Sequence, residues 1–244
     1  MCSCGSYGMQ RPSAIAFDVD DTLYDLSWAF HKACDELLGP QVFSERLFQR
    51  FRARSDEAYQ EHLAGECDFL EMRVRRIWRA LGDVRISVSP AEALKIQECY
   101  ESYQSHIELT GTVRGMLDEC VRARMPIAIV SNGNARHQWD KIECLGLVQW
   151  FPRDLIVVSG DVGATKPEQG IFDEALRRLA VPADEAWFVG DTWENDIMGP
   201  ARAGWHTVWF NRRHYPQPPV DVSPEVTVDT EEEMAQVVGE LLRA

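Results

Sequence analysis

The stretch SAIAFDVDDT, residues 13–22, decides how the rest of the chain is read. Its first seven residues form a short apolar run that turns acidic at the end, the pattern of a strand buried on both faces whose C-terminal tip meets a polar site. Asp18, Asp20 and Asp21 then stand within four positions. Carboxylates so close repel one another, which calls for a compensating cation or a proton-transfer role; a capping or turn cluster is the alternative.

Similar apolar runs recur at 126–130 (PIAIV), 155–158 (LIVV) and 186–189 (AWFV), with a weaker one at 207–210 (TVWF). Between them lie helical patterns at about 113–124, 135–145, 169–179 and 195–203, each ended or followed by Gly or Pro. Strands alternating with helices predict an α/β fold built on a doubly wound parallel sheet. After four prolines between 216 and 224, a helix over 231–243 closes the chain. The acidic run Glu231-Glu232-Glu233 reads as its solvated first turn, where carboxylates complement the helix dipole.

Residues 24–109 break this rhythm. They are rich in helix formers and hold no convincing buried strand, and breaks at Gly39-Pro40, Gly65, Gly82 and Ser89-Pro90 divide them into roughly four helices. The expected organisation is a core domain of residues 13–23 and 110–244, an inserted helical cap domain of 24–109, and a disordered leader of 1–12 that carries a Cys2-x-Cys4 pair. The insert starts just after the first strand, so topology places the cap at the C-terminal edge of the sheet, where open α/β folds bind ligands.

With 45% hydrophobic and 26% charged residues the 244-residue chain has a globular composition. Its formal charge of −14 disfavours nucleic acid and anionic membranes as partners. An anionic small substrate would then need a local positive site. No run of 18 apolar residues and no basic-then-apolar N-terminus is present, which predicts a cytoplasmic protein. Seven scattered cysteines fit reduced thiols better than a disulfide framework.

The later strands also end in polar groups. The second runs into Ser131-Asn132-Gly133, a hydroxyl and a glycine turn whose amides can hold phosphate oxygens, or simply a cap for the next helix. Lys166-Pro167 places an ammonium just before a proline at the first helical position. The fourth ends in Gly190-Asp191-Thr192-Trp193-Glu194-Asn195-Asp196, which facing the first strand's acids points to a divalent cation with hard oxygen ligands, with a capping motif as the alternative.

The motifs FDVDDTL, IVSNG, TKP and VGDTWENDI, in this order, resemble those of the haloacid dehalogenase-like (HAD) hydrolase superfamily. With a helical insert between the first two, the chain is similar to the subfamily of phosphoglycolate phosphatase-like and pyrimidine 5'-nucleotidase-like enzymes, and also to flavin mononucleotide phosphatase-like members. The resemblance implies a Rossmann-like core and a Mg²⁺-dependent phosphatase acting on a small phosphorylated metabolite such as a nucleotide, flavin mononucleotide or sugar phosphate. It implies Asp18 as nucleophile forming an aspartyl-phosphate, and Asp20 as general acid and base. Thr22 would brace the loop, Ser131 and the Asn132 amide would hold phosphoryl oxygens, and Lys166 would neutralise the nucleophile and the transferring group. Asp191 would bind Mg²⁺ with the Asp18 carboxylate and the Asp20 carbonyl, and Asn195 or Asp196 would orient that shell.

Two other reactions are weighed on the same residues. A 2-haloacid dehalogenase needs no acid to protonate a halide, so Asp20 argues against it. A phosphosugar mutase needs a cap that retains the phosphorylated intermediate and excludes water. A degenerate binding module should have lost a motif residue, and all are present. In the insert, Arg46, Arg50, Arg52, Arg54, Arg73, Arg75, Arg76 and Arg79 read mostly as solvated helix faces, one or two of them reaching the substrate. A monomer and a homodimer are both compatible with the sequence.

Overall fold

A computed structural model describes residues 11–244, so the C-x-C pair and nearly all of the expected leader lie outside the described residues. Contacts divide the chain into two compact units, one of residues up to Asp25 together with Glu108–Ala244, the other Leu26–Ile107.

The first unit is built on six parallel strands: β1 (Ala14–Phe17), β2 (Ile127–Ser131), β3 (Ile156–Val158), β4 (Ala186–Gly190), β5 (His206–Phe210) and β6 (Val226–Val228). Their order is β3-β2-β1-β4-β5-β6. Every residue of β1 to β4 is buried, which is why these segments are apolar on both faces rather than alternating. Small residues on one face, Ala14, Ala16 and Ala128, leave room for Ile171, Phe172 and Ala175 of a helix over Gln169–Leu179. There the Phe172 and Phe188 rings meet edge to face at 5.7 Å, while Phe17 meets Phe151 at 6.1 Å. The chain moves outward from β1 through β2 and β3, then crosses back to β4 on the other side of β1. That reversal is the topological switch point where such sheets open a crevice at their C-terminal ends.

The second unit holds α1 (Ser27–Leu37), α2 (Glu45–Leu63), α3 (Phe69–Asp83) and α4 (Pro90–Gln104) around its own core of Phe30, Phe48, Phe51, Ile77, Leu81 and Tyr100. Phe30 stacks on Phe51 at 4.2 Å. Capping boxes fix two helix starts, Asp68 with Glu71 on α3 and Ser89 with Glu92 on α4, the latter with Pro90 in the first turn. Several insert arginines are not the solvated face that the sequence suggests. Arg54 forks onto Asp83 at 2.8 Å through both Nε and Nη2, Arg75 and Arg79 share Glu61, Arg73 pairs with Glu101, and Arg76 lies over the Phe51 ring while donating to Gln97. They tie α2, α3 and α4 together.

Six further helices belong to the first unit: α5 (Gly111–Arg122), α6 (Ala135–Cys144), α7 (Ser159–Val162), α8 (Gln169–Leu179), α9 (Gly199–Arg202) and α10 (Glu231–Arg243). The first turn of α10 is not simply solvated, since Glu231 accepts from Arg212 at 2.7 Å and from the Thr110 hydroxyl, and Glu232 accepts from Thr112. Among the described residues no helix is long and apolar enough to cross a membrane, and the five described cysteines are thiols outside any disulfide.

Candidate active site

Asp18 emerges from the end of β1, its N–H donating to Val189 O of β4 at 3.0 Å. Because Phe17 pairs with Val189, Asp18 lies level with Gly190, and Asp191 follows one step beyond on the neighbouring strand. Lys166 joins them from the loop between α7 and α8. Its ammonium, 4% exposed, donates to Asp18 Oδ1 at 2.7 Å and to Asp196 Oδ1 at 2.6 Å, above the Phe188 ring. Burial works against that charge, but the two carboxylates outweigh it and hold the ammonium pKa above its ordinary range. Pro167 is not the first helical residue, as the sequence suggests. It lies in a turn after a cis Lys166-Pro167 peptide, and α8 starts at Gln169.

Of Asn195 and Asp196, it is Asp196 whose carboxylate meets Lys166 and lies beside Asp18 and Asp191. Residues Trp193–Met198 form a π-helical turn, closed by Gly199 N–H donating to Glu194 O, and the extra residue of that turn rotates Asp196 inward. Asp196 is 1% exposed, and its second oxygen accepts from Thr192 N–H at 2.9 Å. Room for it exists because residue 190 is glycine: a Cβ there would lie 2.4 Å from the Cβ of Asp196.

Carboxylate oxygens of Asp18, Asp191 and Asp196 all lie within 4.8 Å of one another. An all-oxygen, anionic donor set of this kind suits a small hard cation such as Mg²⁺. Burial first, with Asp196 and Asp20 adding to it, pushes the Asp18 carboxyl up to about 7 against the pull of Lys166. The cluster thus carries more negative charge than its one lysine offsets, and a divalent cation fits it.

Beside the carboxylates, Ser131 and Thr22 are fully buried with hydroxyls that bond nothing in the protein among the described residues. The Thr22 and Leu23 N–H groups donate to Val19 O, which closes the loop through the backbone. Asn132 does its bracing on Lys166: its side chain accepts from Lys166 N–H at 2.8 Å and donates to Lys166 O at 2.9 Å. The Gly133 amide, a candidate phosphate donor, is already taken by Ser159 Oγ at 2.9 Å.

Asp20 is held apart from the other acids. Lys141 Nζ donates to both of its oxygens at 2.7 and 2.8 Å, Gln138 Nε2 to Oδ2 at 2.9 Å, and the Tyr24 hydroxyl to Oδ1 at 2.5 Å. Burial would raise its pKa, but the Lys141 charge and these hydrogen bonds prevail and hold it well below the usual carboxylate range. Asp21, in a left-handed conformation, turns to Arg213, which forks onto it at 2.6 and 2.9 Å and also reaches Asp25.

A family model described as a haloacid dehalogenase-like hydrolase matches residues 12–204. The chain belongs to the haloacid dehalogenase-like hydrolase family. Among relatives of this hydrolase, the pyrimidine 5'-nucleotidase YjjG of Escherichia coli is 31% identical over 92% of this chain and 96% of its own length. N-acylneuraminate-9-phosphatase of Rattus norvegicus is 30% identical over 84% of this chain and 85% of its own. In fold, the HAD hydrolase resembles YfnB of Bacillus subtilis, solved with magnesium (22% identity, 94% and 99% covered, TM-score 0.68). It also resembles a dehalogenase solved with an intermediate (21%, 94% and 98% covered, TM-score 0.73).

Three features of this HAD hydrolase escape sequence reasoning. Gln138 and Lys141 read as ordinary positions of an amphipathic helix, and nothing local announces a partner more than a hundred positions away. Arg213 reads as one of two adjacent arginines after the fifth strand, and no motif marks it. Asp21 reads as part of the acidic cluster and is instead its neighbour's ion-pair partner.

Proposed function

We propose that the protein is a Mg²⁺-dependent phosphomonoester hydrolase that works through an aspartyl-phosphate. The observation that carries this reading is the separation of two acids two residues apart: Asp18 lies among Lys166, Asp191 and Asp196, whereas Asp20 is held by its own set of donors. A pair of carboxylates in such different environments fits two chemical roles. Mg²⁺ would be held by the Asp18 and Asp191 carboxylates and the Asp20 carbonyl, with Asp196 orienting them, and would supply charge neutralisation on the phosphoryl group.

In the first half-reaction an Asp18 oxygen attacks phosphorus in line, and the leaving oxygen takes a proton from Asp20, which enters the step protonated because the substrate's phosphate charge beside it raises the pKa that Lys141 holds low in the free protein. Ser131 Oγ, buried and otherwise unengaged, donates to a phosphoryl oxygen, while Lys166 offsets the charge of the transferring group. In the second, water attacks the aspartyl-phosphate and Asp20, now ionised, takes its proton. Dehalogenation would leave Asp20 without a task. The substrate is a small phosphorylated metabolite, and the names of the relatives make pyrimidine nucleotides and acyl-sugar phosphates the first to screen.

The test is hydrolysis of p-nitrophenyl phosphate and a panel of phosphorylated metabolites with Mg²⁺ and with EDTA. Turnover that needs Mg²⁺ and vanishes in Asp18→Asn is expected. Inactivity across the panel, or halide release from 2-chloropropionate without phosphate release, would overturn it.

A further inference from the structure

Asp20 accepts from Tyr24, from Gln138 and twice from Lys141, which fills the four or so lone-pair positions a carboxylate offers. Gln138 and Lys141 stand three residues apart on α6, so one face of that helix presents both to the same acid. Both are buried, at 2% and 7% exposure. A lysine in the last turn of a helix would complement the dipole just as well in solvent, so the dipole does not account for its burial. Nor does local packing account for Gln138, whose amide also donates to Asn132 O at 2.5 Å and thereby joins the Ser131-Asn132-Gly133 turn to Asp20. Gly133 makes this possible: a Cβ at that position would lie 2.8 Å from Gln138 Cγ and Nε2.

We infer that Gln138 and Lys141 are positioning residues for the acid–base function of Asp20, setting where its carboxyl sits relative to the leaving oxygen. The inference rests on the phosphatase function proposed above and adds two residues to it. Its physical content is that the Lys141 ammonium donates to Asp20 and so acts where Asp20 acts, while Gln138 shares its amide between Asp20 and the Asn132 carbonyl. A poor alkoxide leaving group cannot depart without a well-placed proton, whereas p-nitrophenolate can, so loss of placement falls on alkyl phosphates. Dephosphorylation by water follows the first irreversible step and does not enter kcat/KM, which therefore reports substrate binding and the leaving-group step.

The experiment compares kcat/KM for an alkyl phosphomonoester and for p-nitrophenyl phosphate in wild type, Lys141→Met, Lys141→Arg and Gln138→Met, all with Mg²⁺. For Lys141→Met a loss of roughly 10- to 100-fold on the alkyl substrate is expected, against less than about 3-fold on the aryl one. Lys141→Arg, which keeps the cation, should recover part of the alkyl rate. Gln138→Met should show the same selectivity at smaller size and serves if Lys141→Met does not fold. Equal losses on both substrates would reduce the pair to a structural role and overturn the inference, as would an unchanged or raised alkyl rate. A wild type inactive on both substrates would instead remove the phosphatase function itself, and the inference with it.

Discussion

At the residue scale, the site stores electrostatic tension at one position. Asp18 binds its proton more tightly when folded, with its pKa raised from an ordinary 3.8 to about 7. The metal-free protein should therefore lose stability as pH climbs from about 4 to about 7, the interval in which the unfolded carboxyl is ionised and the folded one resists ionisation. Asp20 has the opposite sign, contributing stability above its ordinary pKa that is lost in acid. Asp18→Asn should then stabilise the metal-free protein at pH 7 by about 1–3 kcal/mol while abolishing turnover, measured by thermal melts beside the phosphatase assay. Asp18, Asp20, Ser131, Lys166 and Asp191 were legible because each sits at a strand end or in a short motif. Lys141 and Gln138 were not, since their role exists only once β1 and α6 are brought side by side.

Individual elements transmit constraint from glycines to functional carboxylates. Gly190→Ala would drive a methyl to 2.4 Å from the Cβ of Asp196, so that backbone or side chain must shift. A stability loss of about 1–3 kcal/mol and a steep fall in activity are expected, seen in denaturant melts and initial rates. Ser89→Ala removes the cap of α4 in the insert and should cost about 0.5–2 kcal/mol in the same melts, with p-nitrophenyl phosphate turnover per folded molecule unchanged. Strands buried on both faces, such as AIAF and AWFV, announce themselves as continuous apolar runs. The edge strand β6 does not: Val226–Val228 is three residues long with an exposed middle residue, too short for a period to show. The π-helical turn was equally hidden, because its one extra residue changes which side chain faces inward without changing composition.

For the whole molecule, two separate hydrophobic cores, one around Phe172 and Phe188 and one around Phe30 and Phe51, predict unfolding in two steps rather than one. Mg²⁺ should raise only the transition of the unit that carries Asp18, Asp191 and Asp196, a shift readable by calorimetry with and without EDTA. The chain leaves that unit after Asp25 and returns before Thr110, and both points touch one cluster: Arg213 and Arg212 hold Asp25, Arg212 holds Glu231, and Glu231 takes the Thr110 hydroxyl. Every member of this clasp belongs to the core unit. Exchange of residues 26–107 by recombination would therefore leave both splice points fastened and the Asp18 loop in register, so the core unit can carry a different insert without losing its own closure.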